Sequence, residues 1–331
     1  MAGMWNVPKW SRTRVGMTGW KTGRTTDRAH DGTNGRATHG EFFLLLAAFF
    51  VGTDFVSVKY ALQGLPPLVL VPLRYVVAGL VILVLLRLFG NIDGIGFTPK
   101  NLAVMAGLGF VGVTLNQVGY TVGLSLTSGS HGALIFATAP IWGLILGIVL
   151  GLERSTWRGA VGLGFAVAGV ALVVSDGLGS PEASVGGDLL VCLSALSWGA
   201  YTVLSLPVLA RLDPLLVAGW TMLLGGLAAL PLALTGFPWL SDPLSSVQWD
   251  AVSVGSWAAV FYSTVLASAF AIAAWQANVS RLGANRVLVY MYLVTLFGLV
   301  SSVLLLGENL SAEKVAGALV ILFGVYLARR A

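Results

Sequence analysis

The chain carries one pattern of residues twice, and both copies run through apolar segments long enough to cross a membrane. In a first block the copies are separated by a constant shift of 147 residues, the step from Gly52 to Gly199. In a second block the shift is 155 residues, the step from Glu153 to Glu308. Two constant shifts in the same order along each half indicate an internal duplication, which is typical of membrane proteins that move a solute between their halves.

The composition excludes a soluble globular domain. Hydrophobic residues make up 56% of the chain and charged residues 10%, whereas soluble domains carry about 25% charged residues. The net charge of +5 lies mainly in the first forty residues and in short loops, which indicates membrane orientation and not a nucleic-acid partner. The single cysteine, Cys192, lies in an apolar segment, so the sequence predicts neither a disulfide nor a thiolate metal site.

Ten apolar segments predict ten transmembrane helices, because about 20 helical residues cross the ~30 Å hydrocarbon core. They lie at about 42–62, 68–88, 102–122, 129–150, 157–174, 188–209, 214–235, 251–275, 285–306 and 312–328. The predicted fold class is an all-α integral membrane protein. Each repeat holds five helices, an odd number, so the second repeat is expected to be inverted relative to the first.

Charge counting predicts the orientation and the domain organisation. With the N-terminus in the cytoplasm, the inner loops hold nearly all Lys and Arg residues, and the outer side receives only Lys59 and Lys314. Both termini are therefore expected in the cytoplasm, with the protein in the plasma (inner) membrane. The predicted parts are a disordered basic tail, a first five-helix repeat, an extracytoplasmic linker and a second five-helix repeat, at residues 1–40, 41–174, 175–187 and 188–331.

The sequence offers no enzymatic, metal or cofactor signature. It contains no Gly-x-x-x-x-Gly-Lys loop for ATP, so uphill transport would depend on an ion gradient or on exchange. His30 and His39 lie in the tail and His131 stands alone near a helix end, which argues against a metal site. Ser130 and His131 are helical neighbours that point about 100° apart, so they cannot form a catalytic dyad.

Two charged residues lie deep inside the predicted spans, away from the span ends, where charges are costly. Asp54 in the first helix and Arg74 in the second are at similar depth from the outer side, so an ion pair is geometrically available. Two interpretations stay open. The pair is structural, or Asp54 faces a wet cavity, where it exchanges a proton or contacts a cationic substrate.

Polar and aromatic residues on particular spans are candidates for lining a substrate cavity: Asn116, Gln117, Tyr120, Trp142, Trp198, Tyr201, Tyr262 and Tyr290. Asn116 and Gln117 have hydrogen bonding between helices as an equal alternative, since a buried amide needs a partner. Trp275, Gln276 and Asn278 are interpreted as belt residues at the inner surface. Glycine rows around Gly143 and Gly298 are interpreted as packing seams within a monomer, with a homodimer face as the alternative.

The chain resembles the drug/metabolite transporter superfamily in its ten-helix EamA-like branch. The resemblance covers residues 41–330 and rests on an ordered set of motifs: Val51-Gly52-Thr53-Asp54-Phe55-Val56, Leu65-Pro66-Pro67, Leu73-Arg74-Tyr75, Ala137-Thr138-Ala139-Pro140, Gly151-Leu152-Glu153-Arg154 and Gly307-Glu308. The chain departs from the family pattern at Val51, where Trp is frequent, at Val294-Thr295, where many relatives carry Glu-Pro, and at Asp54, where relatives are often uncharged.

The resemblance implies a secondary transporter that exports a small amino-acid-like or amphiphilic metabolite across the bacterial inner membrane. Its partners would be that small molecule and the lipid bilayer, with a monomer sufficient for function. The departures at Asp54 and Val294-Thr295 leave two alternatives for proton coupling: a different acid replaces the usual one, or proton coupling is absent. A sugar-phosphate or nucleotide-sugar exchanger of the same superfamily would need several basic cavity residues, and only Arg74 is available. A non-transporting membrane scaffold is the other alternative, which a liposome flux assay distinguishes.

Overall fold

A computed structural model describes residues 31–89, 98–151, 157–176, 184–238, 240–288 and 290–329. The chain divides into two compact units, Met1–Ala37 and Thr38–Ala331. The first unit is described only at residues 31–37, which are helical. Nearly all described residues are helical, and the only strand-like feature among them is an isolated bridge between Phe237 and Ser241. The predicted all-α class is confirmed.

The part of the chain that the structure describes contains ten long helices, labelled α1 to α10 in chain order. Their bounds are Asp31–Ala61 (α1), Pro67–Phe89 (α2), Pro99–Leu126 (α3), Gly129–Val149 (α4), Trp157–Asp176 (α5), Val185–Leu209 (α6), Pro214–Thr235 (α7), Val254–Leu282 (α8), Ala284–Leu288 with Met291–Leu306 (α9) and Ala312–Arg329 (α10). Within the described ranges, α1 to α9 are long and apolar enough to cross a membrane.

Two helices, α1 and α8, extend furthest beyond their predicted bounds. α1 begins at Asp31, so residues 31–40 are helical where a disordered tail was predicted, and residues 1–30 lie outside the described residues. α8 continues to Leu282, past the predicted end at 275. Adding a residue to an existing helix gains a hydrogen bond without the cost of nucleation, so helices continue past their apolar part. Of the predicted linker 175–187, residues 177–183 also lie outside the described part.

Side-chain caps explain where several helices begin. Asp213 accepts hydrogen bonds from the backbone N–H groups of Leu215 and Leu216, and Pro214 occupies the first turn of α7, where its missing N–H has no effect. Ser128 caps α4 by accepting from the N–H of His131 at 3.2 Å. This cap fixes the first turn of α4, and with it the position of His131.

Four helices are irregular, and they occupy corresponding places in the two halves. α3 contains a π-helical segment at Phe110–Leu115, and α8 contains one at Ser263–Phe270. α4 is interrupted at 137–138, before Pro140, and α9 is interrupted before Met291. Interrupted helices in corresponding positions of two repeats are frequent at transporter binding sites.

The glycines of the duplicated pattern form reciprocal contacts between the halves. A Cβ at Gly52 of α1 would lie 2.7 Å from the Val294 carbonyl of α9, and one at Gly199 of α6 would lie 2.7 Å from the Gly143 amide of α4. Glycine permits this close approach of backbones. Gly143 and Gly298 therefore serve seams within one chain. Reciprocal contacts are expected of copies related by a two-fold axis, and the inversion itself stays a prediction.

α10 packs along α5 through a further glycine seam. A Cβ at Gly169 of α5 would lie 2.9 Å from the carbonyl oxygen of Gly317 in α10. One at Gly324 of α10 would lie 2.7 Å from the Ala166 amide of α5. The shortest of the ten helices is therefore held against its counterpart from the other half.

Candidate functional site

Asp54 and Arg74 form an ion pair between α1 and α2. Asp54 Oδ2 lies 2.8 Å from Arg74 Nη2, and the two residues are 5% and 1% exposed. The ion pair predicted from the similar depth of the two residues is present in the structure.

The π-helical segment of α8 supplies hydroxyl groups to this ion pair. Ser263 Oγ donates a hydrogen bond to Asp54 Oδ1. Ser268 Oγ accepts one from Arg74 Nη2 at 3.3 Å. The guanidinium also lies over the ring of Tyr75, 5.3 Å from its centroid. These three contacts were not predicted. Serine hydroxyls in an apolar span next to a buried charge could have indicated the contacts of Ser263 and Ser268.

Arg74 keeps hydrogen-bonding capacity that the described protein does not use. A guanidinium has five N–H donors. Nη2 donates to Asp54 and Ser268, whereas Nε and Nη1 are buried with no acceptor among the described residues. An unpaired buried donor costs about 1–3 kcal/mol. The arrangement therefore suits an anionic group that accepts from Arg74.

Tyr120 and Tyr262 flank the ion pair on different helices. The Tyr120 ring packs against Phe55 and Phe136 at centroid distances of 5.3 and 6.0 Å. Tyr262 is hydrogen-bonded through its hydroxyl to Thr53, the residue before Asp54, at 2.5 Å. The structure thus brings four predicted residues together, from α1, α2, α3 and α8.

Trp198 and Tyr201 belong to an aromatic group on α6. Their ring centroids are 5.7 Å apart, and Trp275 of α8 lies 5.4 Å from Trp198. Tyr201 is hydrogen-bonded to Thr221 of α7 at 3.0 Å, and its ring contacts Gly112 in the π-helical segment of α3. Tyr201 is 1% exposed, so its side chain packs between helices.

Asn116 connects α3 to α6, and Gln117 is hydrogen-bonded to Asn116 within α3. Asn116 Nδ2 donates to the carbonyl and hydroxyl oxygens of Ser194 on α6 at 2.9 and 3.0 Å. Gln117 Nε2 donates to Asn116 Oδ1 at 2.5 Å. Of the two alternatives for Asn116, the structure supports hydrogen bonding between helices. Gln117 Oε1 is buried without a donor in the described part of the chain.

The two remaining predicted residues, Trp142 and Tyr290, lie beside the interruptions of α4 and α9. Trp142 is half-buried and donates to Thr138 at 3.2 Å, beside the interruption of α4. Tyr290 lies at the interruption of α9, within electrostatic range of Glu41. The belt interpretation was wrong, because α8 extends further than predicted and its residues Trp275, Gln276 and Asn278 are 3%, 0% and 4% exposed.

His131 is not isolated as predicted, since it contacts Asp176 and Asp188. Those partners lie 45 and 57 residues away in sequence, on other helices, so local sequence could not show them. Across the described ranges, no group of three or more His, Cys, Asp or Glu side chains is arranged to hold a metal ion.

Comparisons with known proteins agree with this architecture. The EamA-like transporter family matches twice, over residues 38–175 and 185–330. An uncharacterized transporter of Archaeoglobus fulgidus is 27% identical over 287 residues, covering 87% of this chain and 97% of that protein. A Salmonella typhimurium protein named as a probable amino-acid metabolite efflux pump is 24% identical over 294 residues, covering 86% and 93%.

A solved crystal structure with 20% sequence identity has the same fold, with a TM-score of 0.59 over 88% of this chain and 96% of that one. The two family matches together extend over most of the sequence and include every helix that carries the site. The chain therefore belongs to the EamA-like transporter family and is a multi-pass membrane transporter.

Proposed function

We propose that this protein is a secondary exporter of a small amino-acid-like metabolite across the bacterial inner membrane, and that Asp54 and Arg74 lie on the substrate path. The observation that carries the proposal is the buried guanidinium of Arg74, whose Nε and Nη1 donors have no acceptor in the described part of the chain. The relative named as a probable amino-acid metabolite efflux pump supports the substrate class.

The chemistry around Arg74 favours a carboxylate. Charge-assisted hydrogen bonds from a guanidinium to a carboxylate are among the strongest in proteins. The neighbouring rings of Tyr75 and Tyr120 would contact an apolar side chain. Asp54 would attract the ammonium group of the same molecule, or would exchange a proton when the site opens. A zwitterion with an apolar side chain meets all of these groups.

Purified protein in proteoliposomes tests the substrate class. We expect export of neutral amino acids by the native protein, and a large loss for the matched amines that lack the carboxylate. Arg74→Lys keeps the charge but removes the planar set of donors, so it should weaken discrimination between acid and amine. Equal flux of an amino acid and its amine would contradict the role of Arg74. No flux above empty liposomes for any metabolite would favour the scaffold alternative.

The orientation belongs to the same proposal, with both termini in the cytoplasm because basic residues concentrate in the loops that this orientation places inside. In a Cys192→Ser background, a cysteine at the exposed position Gln63 should react with an impermeant thiol reagent added outside intact cells. A cysteine at the exposed position Arg211 should react only after the membrane is opened. The opposite labelling pattern would reverse the proposed orientation.

A further inference from the structure

A second buried group of charges joins four helices at the end of the molecule where α4 begins. His131 of α4 lies with Nδ1 at 3.2 Å from Asp188 Oδ2 on α6, and with Nε2 at 3.1 Å from Asp176 Oδ2 on α5. Lys314 of α10 places Nζ 3.6 Å from the same Asp176 oxygen. His131 and Asp188 are each 1% exposed.

The number of hydrogen-bond donors indicates the protonation state of His131. A neutral imidazole has one N–H donor and one bare nitrogen, so it can donate to only one of two carboxylates. Both ring nitrogens of His131 face carboxylate oxygens, and only an imidazolium donates to both. Asp188 also accepts from Thr127 Oγ1 at 2.5 Å, and Asp176 faces Lys314. Thr127 already donates to Asp188 and Lys314 already faces Asp176, so the geometry places the extra proton on His131.

Charge balance leads to the same result. With His131 protonated, two positive side chains face two negative ones, whereas a neutral His131 leaves a buried net charge of −1. Glu308, from the turn between α9 and α10, accepts instead from the backbone N–H groups of Gly129 and Ser130 at 2.7 and 2.9 Å. The negative charge of Glu308 therefore lies at the N-terminus of α4 and is left out of this charge balance.

We propose that His131 is a proton-binding site at the extracytoplasmic end of the transporter, and that its bound proton fastens α4 to α5 and α6. If the end of α4 moved away, the imidazolium would lose both acceptors and its proton would be favoured to leave. Binding of the proton and closure of this end are then linked reciprocally. External acid favours the fastened state and external alkali favours its release.

The protonation state is measured directly by nitrogen NMR of the full-length protein in lipid nanodiscs. Only three histidines are present, and His30→Gln with His39→Gln leaves His131 as the single labelled imidazole. At pH 7.5 an ordinary histidine, of pKa ~6.5, is about nine-tenths neutral. We expect both His131 nitrogens to carry protons in the otherwise native chain, and Asp188→Asn to leave one bare. One bare nitrogen in the otherwise native chain would overturn the proposal.

The effect on transport rests on the proposed function, and the NMR result does not. With internal pH held constant, the flux of the native protein should change about five-fold between external pH 6 and 8, a typical size for coupling between sites. His131→Gln cannot gain a proton, so its pH profile should lose this contribution and keep only the dependence that the pH gradient gives through Asp54. An unchanged pH profile in His131→Gln would overturn the fastening role. Absence of any flux would instead contradict the proposed transport function and leave the NMR result to decide on the proton site.

Discussion

The two halves of the protein place different chemistry at equivalent positions. The shift of 147 residues that relates Gly52 to Gly199 also relates Asp54 to Tyr201 and Arg74 to Thr221. In the first half these positions form the ion pair at 2.8 Å, and in the second half they form the neutral hydrogen bond at 3.0 Å. The same contact between neighbouring helices thus occurs in both halves, with charges in the first half and without charges in the second.

The π-helical segments extend this comparison. Ser263 of α8 donates to Asp54, and Gly112 of α3 contacts the ring of Tyr201. The second half forms the corresponding contact without charges. A buried ion pair is often no more stabilising than an apolar replacement, because both charges lose their hydration. We therefore propose that the charges of the first half serve transport and not stability.

The largest expected effect comes from breaking the charged pair on one side. Arg74→Leu leaves Asp54 buried without a cation, which should lower the free energy of unfolding by about 3–5 kcal/mol. The measurement is thermal unfolding in detergent. Adding Asp54→Asn removes the unpaired charge and should restore part of this loss. A double variant no more stable than Arg74→Leu would show that the pair is not the source of the effect.

A smaller effect is expected at the contact between α3 and α6. Gly112→Ala would drive a methyl group into the Tyr201 ring near its attachment to the backbone, where the ring cannot move aside. Overpacking of this kind costs about 1–3 kcal/mol. Thermal unfolding should show the loss, with Gly107→Ala as the control because a Cβ there meets nothing within 4 Å. Equal behaviour of the two variants would contradict the tight contact.

The smallest effect is expected at the neutral pair. Thr221→Val removes the hydrogen bond to Tyr201, while the shape of the side chain stays nearly the same. Hydrogen bonds between membrane helices contribute about 0.6 kcal/mol on average. The melting temperature should therefore change little. A loss comparable to that of Arg74→Leu would mean that the two halves depend equally on this contact.

Much of the fold could be predicted from the sequence, because apolar length and repetition depend on local residues. The Asp54–Arg74 contact was predictable from equal depth in neighbouring helices. The contacts of Ser263 and Ser268 were not predictable. These serines are five residues apart, and in a regular α-helix their side chains would point about 140° away from each other. A π-helical turn is closed by hydrogen bonds between positions five residues apart, which brings the two serines to the same side. The partners of His131 could not be predicted either, because they come from distant helices.

We expect transport to depend on the charged pair of the first half and not on its neutral counterpart. The most direct test compares Asp54→Asn with Thr221→Val for amino-acid flux in proteoliposomes under an imposed pH gradient, after both are shown to be folded. Asp54→Asn is expected to abolish or uncouple gradient-driven flux, while Thr221→Val should transport like the native protein. Native coupling in a stable Asp54→Asn variant would overturn this proposal and leave the ion pair a purely structural contact.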